Sequence, residues 1–110
     1  MQRLTGLIQE VAEILGKQYT LLFIDDTWCL YRDLGNGYDV EINMGKTRKY
    51  ALNATVYVWQ VRDELKIIEK IQGINGIEDL KGILAGVVNK TNKLSNKKNK
   101  LYRPELVQSI

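Results

Sequence analysis

Histidine is absent from this 110-residue sequence, and cysteine occurs once, as Cys29. Without imidazole the chain lacks the commonest general base and the commonest metal ligand, and a single thiol cannot form an internal disulfide. The only serines are Ser95 and Ser109, and no base residue of the usual kind accompanies them. These absences exclude hydrolase triads and a structural zinc site, so the sequence predicts a protein that is not an enzyme and implies no cofactor or metal.

Long apolar runs are also missing. No stretch approaches the ~20 consecutive apolar residues that a transmembrane helix requires. The N-terminal segment places Glu10 and Glu13 inside its apolar pattern, unlike the uncharged core of a signal peptide. We therefore expect a cytoplasmic protein without a membrane partner.

Acidic residues are scarce only at the C-terminal end. The net charge is +3, but residues 1–88 carry ten basic and twelve acidic side chains, whereas residues 89–110 carry six and one. Residues 89–100 of this C-terminal segment are rich in Asn and Lys, and they can bury too little apolar surface to offset the conformational entropy lost on ordering. We predict one folded domain over residues 1–94 and a basic, mobile tail over residues 95–110.

Hydrophobic periodicity predicts an N-terminal helix followed by four strands. Apolar residues between Leu4 and Leu15 recur at spacings of three and four, which places them on one side of a helix. Four strand-like segments follow, separated by Asp25-Asp26, by Gly35-Asn36-Gly37 and by a basic loop; they span residues 19–24, 28–33, 38–44 and 50–59. Such short connections between consecutive strands indicate an antiparallel meander.

The last of these strands, from Tyr50 to Trp59, is the centre of the prediction. Its even positions are apolar and end in Val56 and Val58, whereas its odd positions end in Tyr57 and Trp59. Because alternate side chains of a strand point to opposite faces, one set faces the core and the other carries two aromatic rings. The alternative is a strand buried on both faces, with one helix group packed on each side.

The apolar period changes to that of a helix after residue 60. One stripe predicts a helix over residues 61–71 (Val61, Leu65, Ile68 and Ile71), and a second stripe predicts a helix over residues 77–88. Gly82 and Gly86 lie four apart in the second helix, which indicates close packing there, against the sheet or in a homodimer. The predicted fold is α+β, with an N-terminal helix, a four-stranded antiparallel meander, two C-terminal helices and a basic tail.

The aromatic residues favour a stoichiometric binding function. Tyr and Trp dominate protein interfaces because they bury a large area at a low entropic cost. We predict that Tyr57 and Trp59, with Tyr31 as a neighbour, anchor a macromolecular partner, most simply a protein. The Asn-, Lys- and Ile-rich composition without histidine is similar to that of small accessory proteins of phages and conjugative elements, some of which inhibit host systems; this similarity implies an inhibitor or adaptor.

Nucleic-acid binding is the alternative. Clustered lysines neutralise phosphates without reading sequence, and the candidates are Lys46, Arg48, Lys49, Lys93, Lys97, Lys98 and Lys100. The order helix, strands, helix is similar to that of double-stranded-RNA-binding domains. However, the segment from Val61 to Ile71 mixes acids and bases and lacks that family's basic signature. Exposed rings of Tyr57 and Trp59 would also stack on unpaired bases.

Overall fold

The computed structural model describes residues 6–44 and 52–101, with side chains through residue 97. Within these ranges the order is α1 (Gly6–Leu15), β1 (Thr20–Ile24), β2 (Thr27–Asp33), β3 (Tyr38–Asn43), β4 (Ala54–Gln60), β5 (Lys66–Ile74) and α2 (Ile77–Leu101). The strands form one antiparallel sheet in the order β1-β2-β3-β4-β5. The α+β class is confirmed. The predicted numbers of four strands and three helices are wrong, because the described residues form five strands and two helices. None of the described helices is long and apolar enough to cross a bilayer.

The N-terminal helix is confirmed from Gly6 onward, and Leu4 lies outside the described residues. Ile8 and Val11 are buried, as their spacing predicts. The helix ends at Gly16, whose φ of 91° suits glycine and whose N–H donates to the Ala12 carbonyl over 3.0 Å. α1 is therefore a short amphipathic helix with a glycine stop.

The first two hairpins are also confirmed. Asp25 and Asp26 both have positive φ, 52° and 61°, which is the backbone of a two-residue type I′ turn between β1 and β2. Gly35 and Gly37 have φ of 75° and 92° in the loop between β2 and β3. The side chain of Asn36 closes that loop, because its Oδ1 accepts a hydrogen bond from the Tyr38 N–H over 3.1 Å.

Both helices pack on the same face of the sheet. Ile8 of α1 and Leu80 of α2 belong to one buried cluster with the helix-facing residues of the central strands: Leu30, Val40, Ile42, Ala54, Val56 and Val58. Each of these strand residues is at most 1% exposed. The predicted alternation of β4 is confirmed from Ala54 onward, while Tyr50 and Ala51 lie outside the described residues. The predicted arrangement with one helix group on each face is not what the described elements form.

The predicted helix over residues 61–71 is wrong, because Lys66–Ile74 is the edge strand β5. Val61 and Leu65, which began the predicted stripe, precede β5 and are exposed, while two bulges disturb the alternation within the strand itself. The register shifts between Ala54 and Val56 and again between Val58 and Trp59, and at each place β5 holds one extra residue. The bulge opposite Ala54–Val56 contains Gly73, at a φ of 73°. Each bulge converts the strand period of two into a spacing of three, and Ile71 and Ile74 consequently both face the core.

α2 is longer than the predicted helix over residues 77–88. It continues as one helix of 25 residues through the Asn- and Lys-rich run. Thr91 and Ser95 are buried at 1% and 7% exposure, and they extend the buried stripe of Leu80, Leu84 and Val87. The proposed boundary at residue 95 thus falls inside a continuous helix. Residues 102–110 lie outside the described part, so mobility of the tail stays a prediction.

The two α2 glycines do not lie at a close contact within the described structure. Gly82 and Gly86 are exposed, and a Cβ atom placed on either would meet no atom within 4 Å. Close packing against the sheet is therefore not the reason for these glycines. A homodimer through this surface stays a prediction.

Asn36 joins the β2–β3 loop to α2. Its Nδ2 donates to Thr91 Oγ1 over 2.9 Å and to Asn92 Oδ1 over 2.7 Å. We expect Asn36→Ala to lower the free energy of unfolding by about 1–2 kcal/mol, because Thr91 is left with an unmatched buried acceptor. Urea denaturation followed by circular dichroism measures this change. Asn53→Ala, at an exposed position without these bonds, is the control, and an equal midpoint for both variants would contradict the contact.

Candidate binding face

The sheet surface turned away from both helices carries the predicted partner-binding residues. We call it the open face, and define it by Tyr31, Asp33, Asp39, Glu41, Tyr57, Trp59, Ile67 and Lys70. Strand alternation puts these side chains together, since each is paired in register with another or lies two residues from one. No helix of the described residues packs on this surface.

All three predicted aromatic anchors lie on the open face. Tyr31 on β2 and Tyr57 on β4 are both paired in register with Glu41, which lies between them on β3. Trp59 is paired with Asp39 in the same way. The three rings are half-buried. The sheet therefore presents three partly exposed aromatic side chains around the carboxylates of one central strand.

Polar contacts hold these rings in place. The Trp59 indole donates through Nε1 to Glu41 Oε1 over 3.3 Å. The Tyr31 hydroxyl donates to Asp39 Oδ2. The Lys70 ammonium lies 5.5 Å from the centre of the Tyr57 ring, within the range of a cation–π contact. Each ring is thus oriented before any partner arrives, which lowers the entropy lost on binding.

Asp39 is the most buried acid of the open face. Its side chain is 8% exposed, and its Oδ1 has no hydrogen-bond partner among the described residues. Burial raises the pKa of Asp39 and the Tyr31 hydrogen bond lowers it. The charge of the neighbouring Asp33 raises this pKa again, as does the hydrogen bond that the two carboxyl groups can share when one of them holds a proton. The same contact with Asp39, followed by burial, raises the pKa of Tyr31 to about 12, so this hydroxyl keeps its proton at neutral pH.

Cys29 does not offer a reactive thiol. It is 2% exposed, and burial together with the charge of Glu41 raises its pKa to about 11. Because the thiolate is the nucleophile, this cysteine is unreactive at neutral pH. Within residues 6–44 and 52–101, no three Cys, Asp or Glu side chains form a group that could hold a metal ion.

Of the residues predicted to contact nucleic acid, the two whose side chains the structure describes, Lys93 and Lys97, do not share the open face. Lys93 and Lys97 are exposed on successive turns of α2, which packs on the opposite side of the sheet. Lys98 and Lys100 lie in the same helix, but their side chains are outside the described part. Lys46, Arg48 and Lys49 fall in the gap between residues 44 and 52. Lys93 and Lys97 therefore belong to a helix surface that is separate from the aromatic one.

Sequence reasoning missed five members of the open face. Asp33, Asp39 and Glu41 were not predicted as part of the binding surface, although the alternation itself contained the signal that they share a face with Tyr31. Ile67 and Lys70 were missed because their segment was assigned to a helix. The register instead pairs Ile67 with Trp59 and Lys70 with Tyr57.

No protein-family model matches this chain, and neither the curated proteins nor the solved structures yield a match. The function has to be inferred from the chemistry of the open face.

The buried carboxylate of Asp39 makes a testable contribution to stability. A pKa raised by folding means that the protonated form is favoured in the folded state, so this group stabilises at low pH and loses that contribution as pH rises through its folded pKa. Asn does not titrate and still accepts a hydrogen bond from Tyr31. We therefore expect the free energy of unfolding of Asp39→Asn, relative to that of the wild type, to increase as the pH is raised from 4 to 7.

Paired urea titrations at the two pH values measure this difference. Gln9→Ala, at an exposed position of α1, is the control that should show no such trend, because it changes no titratable group. A stability difference between Asp39→Asn and the wild type that is constant with pH, or that falls as pH rises, would contradict the raised pKa.

Proposed function

We propose that this chain is a non-enzymatic protein that binds another protein stoichiometrically through the open face. The observation that carries the proposal is the placement of Tyr31, Tyr57 and Trp59 together on a sheet surface that no described helix covers. Aromatic clusters of this kind are depleted on ordinary surfaces and enriched at binding hot spots.

The surrounding residues support a protein as the partner. Ile67, which is 46% exposed beside Trp59, adds apolar area to the aromatic centre. Three carboxylates and one ammonium group surround that centre, and such a polar rim around an apolar core is typical of protein interfaces. The excess of carboxylates repels a phosphate backbone. We infer that the chain acts by occupying a surface of its partner, as an inhibitor or an adaptor of a mobile element does.

A second candidate is a nucleic-acid accessory protein that uses α2. It is favoured by one observation, the continuation of α2 as a helix that holds Lys93 and Lys97 exposed and one turn apart. This surface and the open face lie on opposite sides of the sheet. Variants of either one should therefore leave the other function intact.

Affinity capture with the chain as bait, from a lysate of its source organism treated or untreated with nuclease, separates the two candidates. We expect a protein that is retained after nuclease treatment, is lost with Tyr57→Ala, and is retained with the double variant Lys93→Gln/Lys97→Gln. Its affinity should change little between 50 and 200 mM salt, whereas binding through many phosphates falls by orders of magnitude over that range. Binding that nuclease or the lysine variant abolishes, and that Tyr57→Ala does not affect, would overturn the proposal.

A further inference from the structure

We propose that the open face recognises an arginine side chain of the protein partner, with the guanidinium group against the Trp59 ring and hydrogen-bonded to Asp39 and Glu41. This inference rests on the proposed function and specifies the chemistry of the partner. Three observations carry it: the pairing of acids with aromatic rings, an unpaired buried carboxylate oxygen, and the charge of the surface.

The pairing places each acid of β3 beside aromatic rings. Glu41 is flanked in register by Tyr31 and Tyr57, and Asp39 by Trp59. Side chains directly opposite each other on neighbouring strands have Cβ atoms about 4.5–5.5 Å apart. A flat cation that inserts here would meet a ring face and a carboxylate at the same time.

The unpaired oxygen is Asp39 Oδ1. Asp39 is more than nine-tenths buried, and this oxygen has no hydrogen-bond partner within the described part of the chain. A buried acceptor without a donor costs free energy, so a donor that a partner supplies to this oxygen would recover part of that cost. Asp39 lies next to Trp59 in register and accepts a hydrogen bond from Tyr31, so a donor that reaches Oδ1 comes close to both rings. Binding should therefore change the environment of Trp59.

Charge and shape favour a guanidinium group over other cations. The open face holds three carboxylates, on Asp33, Asp39 and Glu41, against the single ammonium of Lys70, which already lies over Tyr57. Guanidinium is planar, stacks on indole, presents several donors in one plane, and loses its hydration more readily than an ammonium group. A metal ion fits less well, because Trp59 Nε1 and the Tyr31 hydroxyl already direct their protons at Glu41 and Asp39.

The direct test is a nuclear magnetic resonance titration of the full chain with N-acetyl-L-arginine amide. We expect a saturable shift of the Trp59 indole N–H signal, with the Trp28 indole, on the helix side of the sheet, as an unshifted reference. The citrulline analogue has the same length without the charge and should produce no such shift. Glu41→Gln should weaken arginine binding about tenfold, since a charge-assisted bond is lost, while Glu64→Gln, in the β4–β5 connection, should not. Equal shifts with arginine and citrulline, or none, would overturn the inference.

The chain's own arginines are a distinct possible occupant. Arg3, Arg48 and Arg103 lie outside the described residues. If their combined replacement by glutamine, in the full chain and without added ligand, shifts the Trp59 indole signal, an internal arginine occupies the site and the inference of a partner arginine is overturned. We expect no shift.

Selection from a random-peptide display library separates this inference from the proposed function. We expect selected peptides to lose binding to Trp59→Ala and to share an arginine at a fixed position. Peptides that depend on Trp59 but lack arginine would overturn the inference and leave the proposed function standing. Peptides that bind independently of Trp59, Tyr57 and Tyr31 would overturn both.

Discussion

Replacing Trp59 with alanine should lower partner affinity by at least ~2 kcal/mol, or about thirtyfold, while leaving the fold intact. The indole is the largest side chain of the open face and is already held by the hydrogen bond to Glu41. Its removal takes away the contact area at the centre of the surface. Because the ring lies on the side away from the buried cluster, its loss opens no cavity among the residues that pack against the helices.

Calorimetry or biolayer interferometry with the captured partner measures this loss. Leu65→Ala is the matched control, because Leu65 is 70% exposed in the connection to β5 and lies outside the open face. Trp59→Phe should give an intermediate affinity, since it keeps an aromatic ring but not the Nε1 donor. Similar affinities for the wild type, Trp59→Ala and Leu65→Ala would contradict the assignment. The assignment would also be contradicted if Trp59→Ala unfolded much of the protein while the fraction that remained folded still bound the partner.

Replacing Ile42 with alanine should lower the free energy of unfolding by about 2–5 kcal/mol. Ile42 is fully buried on the central strand β3, in register with Leu30 on one side and Val56 on the other. Truncating it removes apolar contacts and leaves a cavity beneath the helices. A domain of this size has a total stability of about 5–15 kcal/mol, so the variant should lose a large part of it.

Urea denaturation measures the loss, with Ile67→Ala as the control for the same substitution on the open face. Ile67 is 46% exposed, and its truncation should cost less than about 1 kcal/mol. Equal losses for the two variants would show that the sheet has no distinction between a buried and an open side. Both functional proposals depend on that distinction.

Local signals predicted the parts of this fold in which one rule acts alone. The alternation ending in Val58 and Trp59 placed the core and aromatic phases of β4 on the correct faces. The two aspartates at 25 and 26 and the glycines at 35 and 37 marked turns, because those turns need positive φ. The spacing of Ile8 and Val11 marked the buried side of α1.

The errors arise where tertiary packing altered a local rule. Two bulges disturb the alternation within β5, and a bulge cannot be seen in a single sequence without its partner strand. The predicted helix stopped at residue 88 because the run that follows is polar in composition, whereas α2 continues to Leu101. Thr91 is nonetheless buried, since its hydroxyl donates to the Val87 carbonyl over 2.8 Å and accepts from Asn36. The bond from Asn36 depends on a loop 55 residues away in the sequence.

The candidate site likewise has residues that the sequence predicted and residues that only the tertiary structure reveals. The aromatic anchors were predictable because their phase on β4 is fixed by the apolar residues between them. The acids of β3 could not be assigned to the site without the strand register, which puts Asp39 beside Trp59 and Glu41 between two tyrosines. The buried oxygen of Asp39 is a tertiary property and has no signature in the sequence.

Hydroxyl-radical footprinting of Tyr31, Tyr57 and Trp59, in the free chain and in its complex, tests the central claim most directly. We predict that all three side chains are oxidised in the free chain and are protected together when the partner binds, while Leu65 keeps the same reactivity. Aromatic side chains that are unreactive in the free chain, or that remain equally reactive in the complex, would contradict the claim that this side of the sheet is the binding surface.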